Sequence, residues 1–93
     1  RMADQVQDNP SRKRFELSVE GIVAFVDYER REGGVFALTH TEVPEALGGK
    51  GVGSRLVKGS LELVRAQGGK VVPCCSFISA YVEKHPEYQD LLA

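Results

Sequence analysis

Ninety-three residues is the size of one small domain, and a chain of that length has no room for a second core. Hydrophobic residues at 42% and charged residues at 27% lie near globular averages, which argues against disorder and against a membrane protein. Lys and Arg total 12 and Asp and Glu 13, so the net charge of −1 lacks the positive field that non-specific nucleic-acid binding requires.

Arg1 ahead of Met2 reads as a residue left over from expression, and the polar stretch from Ala3 to Arg14 lacks the apolar core of a signal peptide. Residues 1–13, with Asp4, Gln5, Gln7, Asp8 and Asn9 before Pro10, are expected to be a flexible arm, and residues 14–93 the folded domain. Phe15, Leu17 and Val19 alternate with Glu16, Ser18 and Glu20, the period-two pattern of a half-buried strand. Glu20-Gly21 supplies a tight turn into a second strand from Ile22 to Glu29, and Arg31 to Gly34 a second turn into a third strand from Val35 to Val43, closed by Pro44. From Gly51 to Gln67 the period becomes helical, with Val52, Leu56, Leu63 and Val64 on one side and Arg55, Lys58, Glu62 and Arg65 on the other. Gly68-Gly69 ends that helix, and Lys70 to Cys74 or Cys75 reads as a short buried strand reached by a crossover, hence parallel to the one before. A last helix is expected from Ser76 to Lys84, broken by His85-Pro86. The expected order is β-β-β-α-β-α, an α+β fold in which an antiparallel meander is extended by a parallel strand and helices pack on the sheet.

No apolar run approaches the roughly 20 residues of a membrane span, so no membrane partner is expected and the cytoplasm is the default location. Adjacent Cys74 and Cys75 on a strand point to opposite faces and are poorly placed to bridge. With only His40 and His85 to join them, a metal site has too few ligands.

Leu47-Gly48-Gly49-Lys50-Gly51-Val52-Gly53-Ser54 lies between a strand end and a helix start, where free N–H groups and the helix dipole favour an anion such as phosphate. The nucleotide motifs fit badly, because Lys50 is followed by Gly51 rather than Ser or Thr and the glycine spacing is not Gly-x-Gly-x-x-Gly. By position alone the segment is either a phosphate cradle or a plain turn and helix cap.

Taken with Leu38-Thr39-His40-Thr41-Glu42-Val43-Pro44 before it and Val71-Val72-Pro73-Cys74-Cys75 after the helix, this loop resembles the acyl-CoA-binding core of the GNAT acetyltransferases, in particular their small single-domain branch. The resemblance covers residues 14–90, and Gly51 and Gly53 fill the last two positions of the family signature, while Gly48 stands where Arg or Gln is usual. It implies acetyl-CoA as acyl donor, with the pantetheine arm against the backbone of Thr41, Glu42 and Val43. It also implies a pyrophosphate held by the segment Gly48, Gly49, Lys50, Gly51, Val52, Gly53 and Ser54, chiefly by N–H groups from Gly49 onward. Lys50 either adds charge at the rim or is a solvated loop lysine.

Three residues are candidates for the chemistry of acetyl transfer to an amine. The small branch carries a cysteine where Cys75 stands, which implies either a proton donor to the leaving sulfur or an acetyl-accepting nucleophile; a small buried hydrophobe is the other reading. Cys74, pointing the other way, is expected in the core. His40, read as sharing a face with Leu38 and Glu42, is a base or a packing residue. Tyr81 is an acid for the thiolate or an ordinary helix–sheet contact. Only Glu20-Gly21 joins the first two strands, so the acceptor side is expected to be open, suiting an amine on a bulky partner such as a protein lysine, or a non-catalytic acyl-CoA-binding module.

Overall fold

The computed structural model describes residues 5–93 as strands β1 (Gln7–Asn9), β2 (Arg14–Val19), β3 (Ile22–Arg31) and β4 (Val35–Glu42), helix α1 (Val52–Ala66), strand β5 (Lys70–Pro73) and helix α2 (Ser76–Lys84). The reading of Arg1 lies outside the described residues. The strands form one sheet in the order β1-β2-β3-β4-β5, antiparallel from β1 to β4, with β5 parallel to β4 after the crossover through α1. The expected meander, parallel strand and helices are all present.

Residues 5–13 are not the loose arm that their composition suggests. Gln7–Asn9 pair with Arg14–Glu16 along the edge of β2, and a turn closes with Arg12 N donating to Asn9 O and Lys13 N to Pro10 O. Tertiary contacts supply what local composition lacks: Tyr28 donates its phenol proton to Asp8 Oδ1 at 2.6 Å, and Val6 packs where α1 has no side chain, at Gly59. The Tyr28 phenol is pushed up to about 12, by burial first and then by the Asp8 carboxylate.

Residues paired directly across strands share a face. Phe15, Leu17 and Val19 pair with Val26, Ala24 and Ile22, and Tyr28 with Leu38, so these side chains form one apolar face. Onto it pack Val52, Leu56, Val57, Leu61 and Val64 of α1, together with Ile78 and Val82 of α2. Leu63, expected on the inner side of α1, is only half-buried; Val57 and Leu61 hold the central stripe, because burial follows 52, 56, 57, 60, 61 and 64 around the helix. Gly68, at φ +71, terminates α1 in the left-handed conformation, and its N–H bonds to Arg65 O. After His85 a 3-10 segment (Pro86–Leu91) buries Tyr88 and Leu91, and Ala93 N donates to Val71 O, covering the outer edge of β5.

One irregularity positions everything that follows. Asp27 pairs with His40 and Tyr28 with Leu38, leaving Thr39 without a partner as a β-bulge in β4. The inserted residue shifts the alternation, so Leu38 and Thr41 face the helices while His40 and Glu42 face the opposite side. The expectation that Leu38, His40 and Glu42 share a face is therefore wrong, and the extra residue is the reason. Phe25, Asp27, His40 and Glu42 lie on a sheet face to which neither helix contributes core residues.

Replacing Tyr28 by Phe removes the hydrogen bond that ties β1 to β3 while keeping the ring in the core. Urea denaturation of Tyr28→Phe is expected to show a loss of about 1.5–3 kcal/mol, since the acceptor is a carboxylate; unchanged stability would mean that β1 is not held by this bond.

Candidate active site

β4 and β5 run together only as far as the pair Leu38 and Pro73, with a last rung from Cys74 N to Leu38 O at 3.0 Å. Beyond it β4 continues to Glu42, while the chain after β5 turns into α2. The two strands thus splay apart, and the edge of β4 from Thr39 onward has no strand beside it.

Cys75 stands at that fork. It is the N-cap residue of α2, half-buried, with Sγ 3.5 Å from Thr41 Oγ1. Burial acts to raise its thiol pKa, but the Thr41 hydroxyl and the backbone N–H groups of Ile78, Phe77 and Thr41 outweigh it, and the net shift is downward. The N–H groups of α2 act as partial positive charge near sulfur rather than as a formed capping bond, since no side-chain cap hydrogen bond is made there. Cys74, expected in the core, is exposed: it lies past the end of β5, in the turn before α2, where no second layer of structure covers it.

The glycine loop closes the other side of the fork. After β4, Pro44 leads into a 3-10 turn (Glu45–Leu47) that buries Leu47, and Gly51 in the left-handed conformation (φ +70) caps α1. Gly49 is also left-handed, at φ +76. A Cβ at Gly49 or Gly51 would meet no protein atom, so backbone conformation rather than crowding calls for glycine there. The first turn of α1 carries no side-chain cap, which leaves its N–H groups available to an acceptor outside the helix. A Cβ at Gly53 would come within 3.0 Å of Phe77 Cζ and 3.7 Å of Val43 Cγ2, so the end of β4 and the starts of α1 and α2 converge on this glycine. Phe77, which sequence reasoning missed, is 46% exposed at this junction. Its signal was the pairing of a side-chain-free residue at the start of one helix with an aromatic in the first turn of the next.

The remaining candidates are distributed around this centre. Lys50 is exposed and lies 3.8 Å from Glu20 of the β2–β3 turn, a weak surface pair. Tyr81 is half-buried between the helices, stacked on His85 with ring centroids 3.9 Å apart, and shares a shallow cavity of about 240 Å³ with Ser54, Phe77 and Lys84. Burial, then Glu87 and Glu62, push its phenol pKa up. His40 and Glu42 are joined by a 2.9 Å hydrogen bond on the face opposite Thr41 and Cys75. The structure therefore brings together Thr41, Val43, Cys75 and the Gly53 end of the loop, and puts His40 and Glu42 behind the strand. Among the described residues no group of three His, Cys, Asp or Glu is gathered to hold a metal ion, and no helix is long and apolar enough to cross a membrane.

Comparison with known proteins agrees with this layout. The sequence pattern of the GCN5-related N-acetyl-transferases matches residues 14–91. Protein NATD1 of Gallus gallus is 32% identical over 84 residues, which span 88% of this chain and 76% of the relative, and protein NATD1 of Homo sapiens is 31% identical over 84 residues, 88% of this chain and 74% of the relative. The solution structure of a GCN5-like protein from Staphylococcus aureus superimposes with a TM-score of 0.73 at 26% identity, covering 100% of this chain and 91% of that one.

A lowered thiol pKa makes Cys75 nucleophilic at a lower pH than an unperturbed cysteine. Limiting iodoacetamide, read by peptide mass, is expected to label Cys75 before Cys74, with a rate that levels off at lower pH than for cysteine in an unfolded peptide. Thr41→Val removes the hydroxyl that favours the thiolate, so its neutral-pH labelling rate should fall. Preferential labelling of Cys74, or a rate indifferent to Thr41, would reverse the assignment.

Proposed function

Because the chain belongs to the GCN5-related N-acetyltransferase family and is an acetyltransferase by family and fold, we propose that it transfers the acetyl group of acetyl-CoA to an amine, at the fork between β4 and β5, with Cys75 next to the thioester. The observation that carries this reading is the convergence of a splayed strand edge, a left-handed glycine loop on a helix N-terminus and a thiol of lowered pKa at one point.

The residues fit the donor. N–H groups of the Gly49–Ser54 segment suit a pyrophosphate, since they need an acceptor and the space beyond Gly49 and Gly51 is open. Gly48, in place of a longer polar residue, leaves this grip to the backbone. The free edge of β4 at Thr41, Glu42 and Val43 suits the peptide-like amides of a pantetheine arm, as an added strand would. Acetyl-CoA supplies an acyl group already activated as a thioester.

Cys75 has the character of a nucleophile more than that of an acid. The hydrogen bonds around its sulfur lower the thiol pKa, which raises the share of thiolate able to accept an acyl group. Thr41 orients the sulfur and donates a hydrogen bond to the charged form. Tyr81, whose phenol stays protonated well above neutral pH, retains a proton that it can deliver, and its place beside Ser54 and Phe77 keeps it near the loop. His40 and Glu42 act from the other side of β4, where an amine must lose a proton before it attacks.

The acceptor is an amine presented by a larger molecule, such as a protein lysine, because no helix joins β2 to β3. The turn is Glu20-Gly21 alone, and among the described residues no second layer lies on that side of the sheet to enclose a small substrate.

Calorimetry with CoA tests the loop: Gly51→Val forces a β-branched residue into φ +70 and is expected to weaken binding by about tenfold or more, since such residues are strained there by about 1–3 kcal/mol. Release of free CoA in the presence of amines tests transfer, and Cys75→Ser is expected to lower it about a hundredfold or more while leaving CoA affinity near that of the parent. Tight CoA binding with no turnover on any amine would favour an acyl-CoA-binding module without transfer; no CoA binding at millimolar ligand would sink both readings.

A further inference from the structure

The helix-free face of the sheet is not uniformly polar. Phe25 lies half-buried in it although no helix covers that side, and one of its neighbours is a cation: the Arg14 guanidinium carbon is 4.1 Å from the ring centroid. Arg14 is held there by Glu16, with Nε 2.8 Å from Oε2. An aromatic ring and a carboxylate already bind one positive group on this surface, and that group is neutralised.

On the β4 side of the same ring the equivalent parts are present without a Lys or Arg among the described residues. His40 has its ring centroid 6.4 Å from that of Phe25, and its Nε2 is 2.9 Å from Glu42 Oε1. Asp27 lies directly across from His40 on β3 and is half-buried, yet its carboxylate forms no ion pair and no side-chain hydrogen bond among the described residues. Arg14 is paired with Asp27 in the register of β2 and β3 but turns instead to Glu16 and Phe25. With Arg14 and Glu16 cancelling, Asp27 has no cation among the described residues and Glu42 has the His40 imidazole as its partner, so the carboxylates outnumber the fixed cations here. Val23, 36% exposed, lies two residues before Phe25 on the same face and extends the apolar surface.

We infer that Phe25, Asp27 and Glu42 form the recognition site for the ammonium group of the acceptor, and that the occupant is a lysine side chain of an extended polypeptide, its methylene stem on Phe25 and its charge between the two carboxylates. Charge complementarity selects a cation, and the aromatic floor selects one on an apolar stem. The open face accepts a chain that continues past the lysine in both directions. The site adjoins the fork because His40 and Glu42 alternate along β4 with Thr41, whose side chain on the other face meets Cys75. This inference rests on the reading of the protein as an amine acetyltransferase, and it concerns acceptor binding, so it can be measured apart from turnover.

The experiment is a titration of the isotopically labelled full chain with a lysine-containing peptide, followed by amide chemical shifts, with the same peptide acetylated on its lysine and with spermidine as the other two arms. Shifts at Phe25, Asp27, His40 and Glu42 with the lysine peptide, absent with its acetylated form, are expected. Asp27→Asn should weaken that binding by about tenfold, and Asp27→Glu should restore most of it. In steady-state assays Asp27→Asn should raise KM for the peptide by a similar factor, with kcat and CoA affinity within about twofold of the parent. Lysine-dependent shifts on this face without acetyl transfer would uphold the site and sink the transfer reading. Shifts confined to the helix side, equal binding of the acetylated peptide, or response to spermidine alone would overturn the inference.

Discussion

The site depends on the point where β4 and β5 stop pairing. The two strands are parallel neighbours from Val35 and Lys70 to Leu38 and Pro73, and the next residue of β4, Thr39, is a bulge with no partner on β3. A bulge bends its strand and increases the local twist. Here the bend coincides with the last rung to β5, so β4 keeps its pairing with β3 while its other edge becomes free. The last rung is Cys74 N to Leu38 O, after which the chain turns into α2. Everything assigned to acyl-donor binding lies along the edge thus released or at the helix starts on either side of it. The same residue inserts one position into the alternation and so decides that Thr41 meets Cys75 and that His40 and Glu42 look outward.

Packing around the fork follows from small residues at helix starts. α1 begins immediately after a left-handed glycine, and its second residue, Gly53, lets Val43 and Phe77 approach the helix backbone. A side chain at that position would force the ring of Phe77, in the first turn of α2, aside by a few tenths of an ångström. The thiol is thus positioned by the backbone of two helices and by one strand hydroxyl, all fixed by a core that includes Leu47, Val52 and Ile78. Its lowered pKa expresses this arrangement, because burial alone would have moved it the other way.

Much of this was legible in the sequence. Alternation in Phe15–Val19, the Glu20-Gly21 and Gly33-Gly34 turns, the helical period from Val52 and the Gly68 stop are local signals, and the elements they specify formed within a residue or two of their expected ends. β1 was not legible, because Gln7–Asn9 have no apolar pattern and owe their order to Tyr28 and to the gap at Gly59, which lie far along the chain. The bulge was equally hidden: Leu38-Thr39-His40 contains no glycine or proline, and counting by twos places His40 with Leu38. For the cysteines, opposite directions were read from strand alternation, but both lie beyond β5, where helix capping turns Cys75 inward and leaves Cys74 in solvent. Residue types pointed to the chemistry, whereas which side of the sheet each residue faces depended on a long-range register.

The bare face has a geometric origin as well as a chemical one. Five strands at about 4.8 Å spacing make a sheet roughly 24 Å wide, and two helices of about 10 Å diameter cover one side of it and no more. Among the described residues both helices pack on one face, and no element lies over the other. Glu16, Ser18, His40 and Glu42 suit that uncovered face by being polar, and their presence alone would say nothing about binding. Two details go beyond what solvation requires. Phe25 is kept on this side where a polar residue would be better solvated, and among the described residues Arg14 and its strand neighbours screen it. Asp27 is half-buried there with no cation drawn to it among the described residues, although Arg14 stands across from it in the adjoining strand and is directed elsewhere. Half-covered, without a cation among the described residues and one strand away from the thiol, that carboxylate suits a positive side chain arriving from outside.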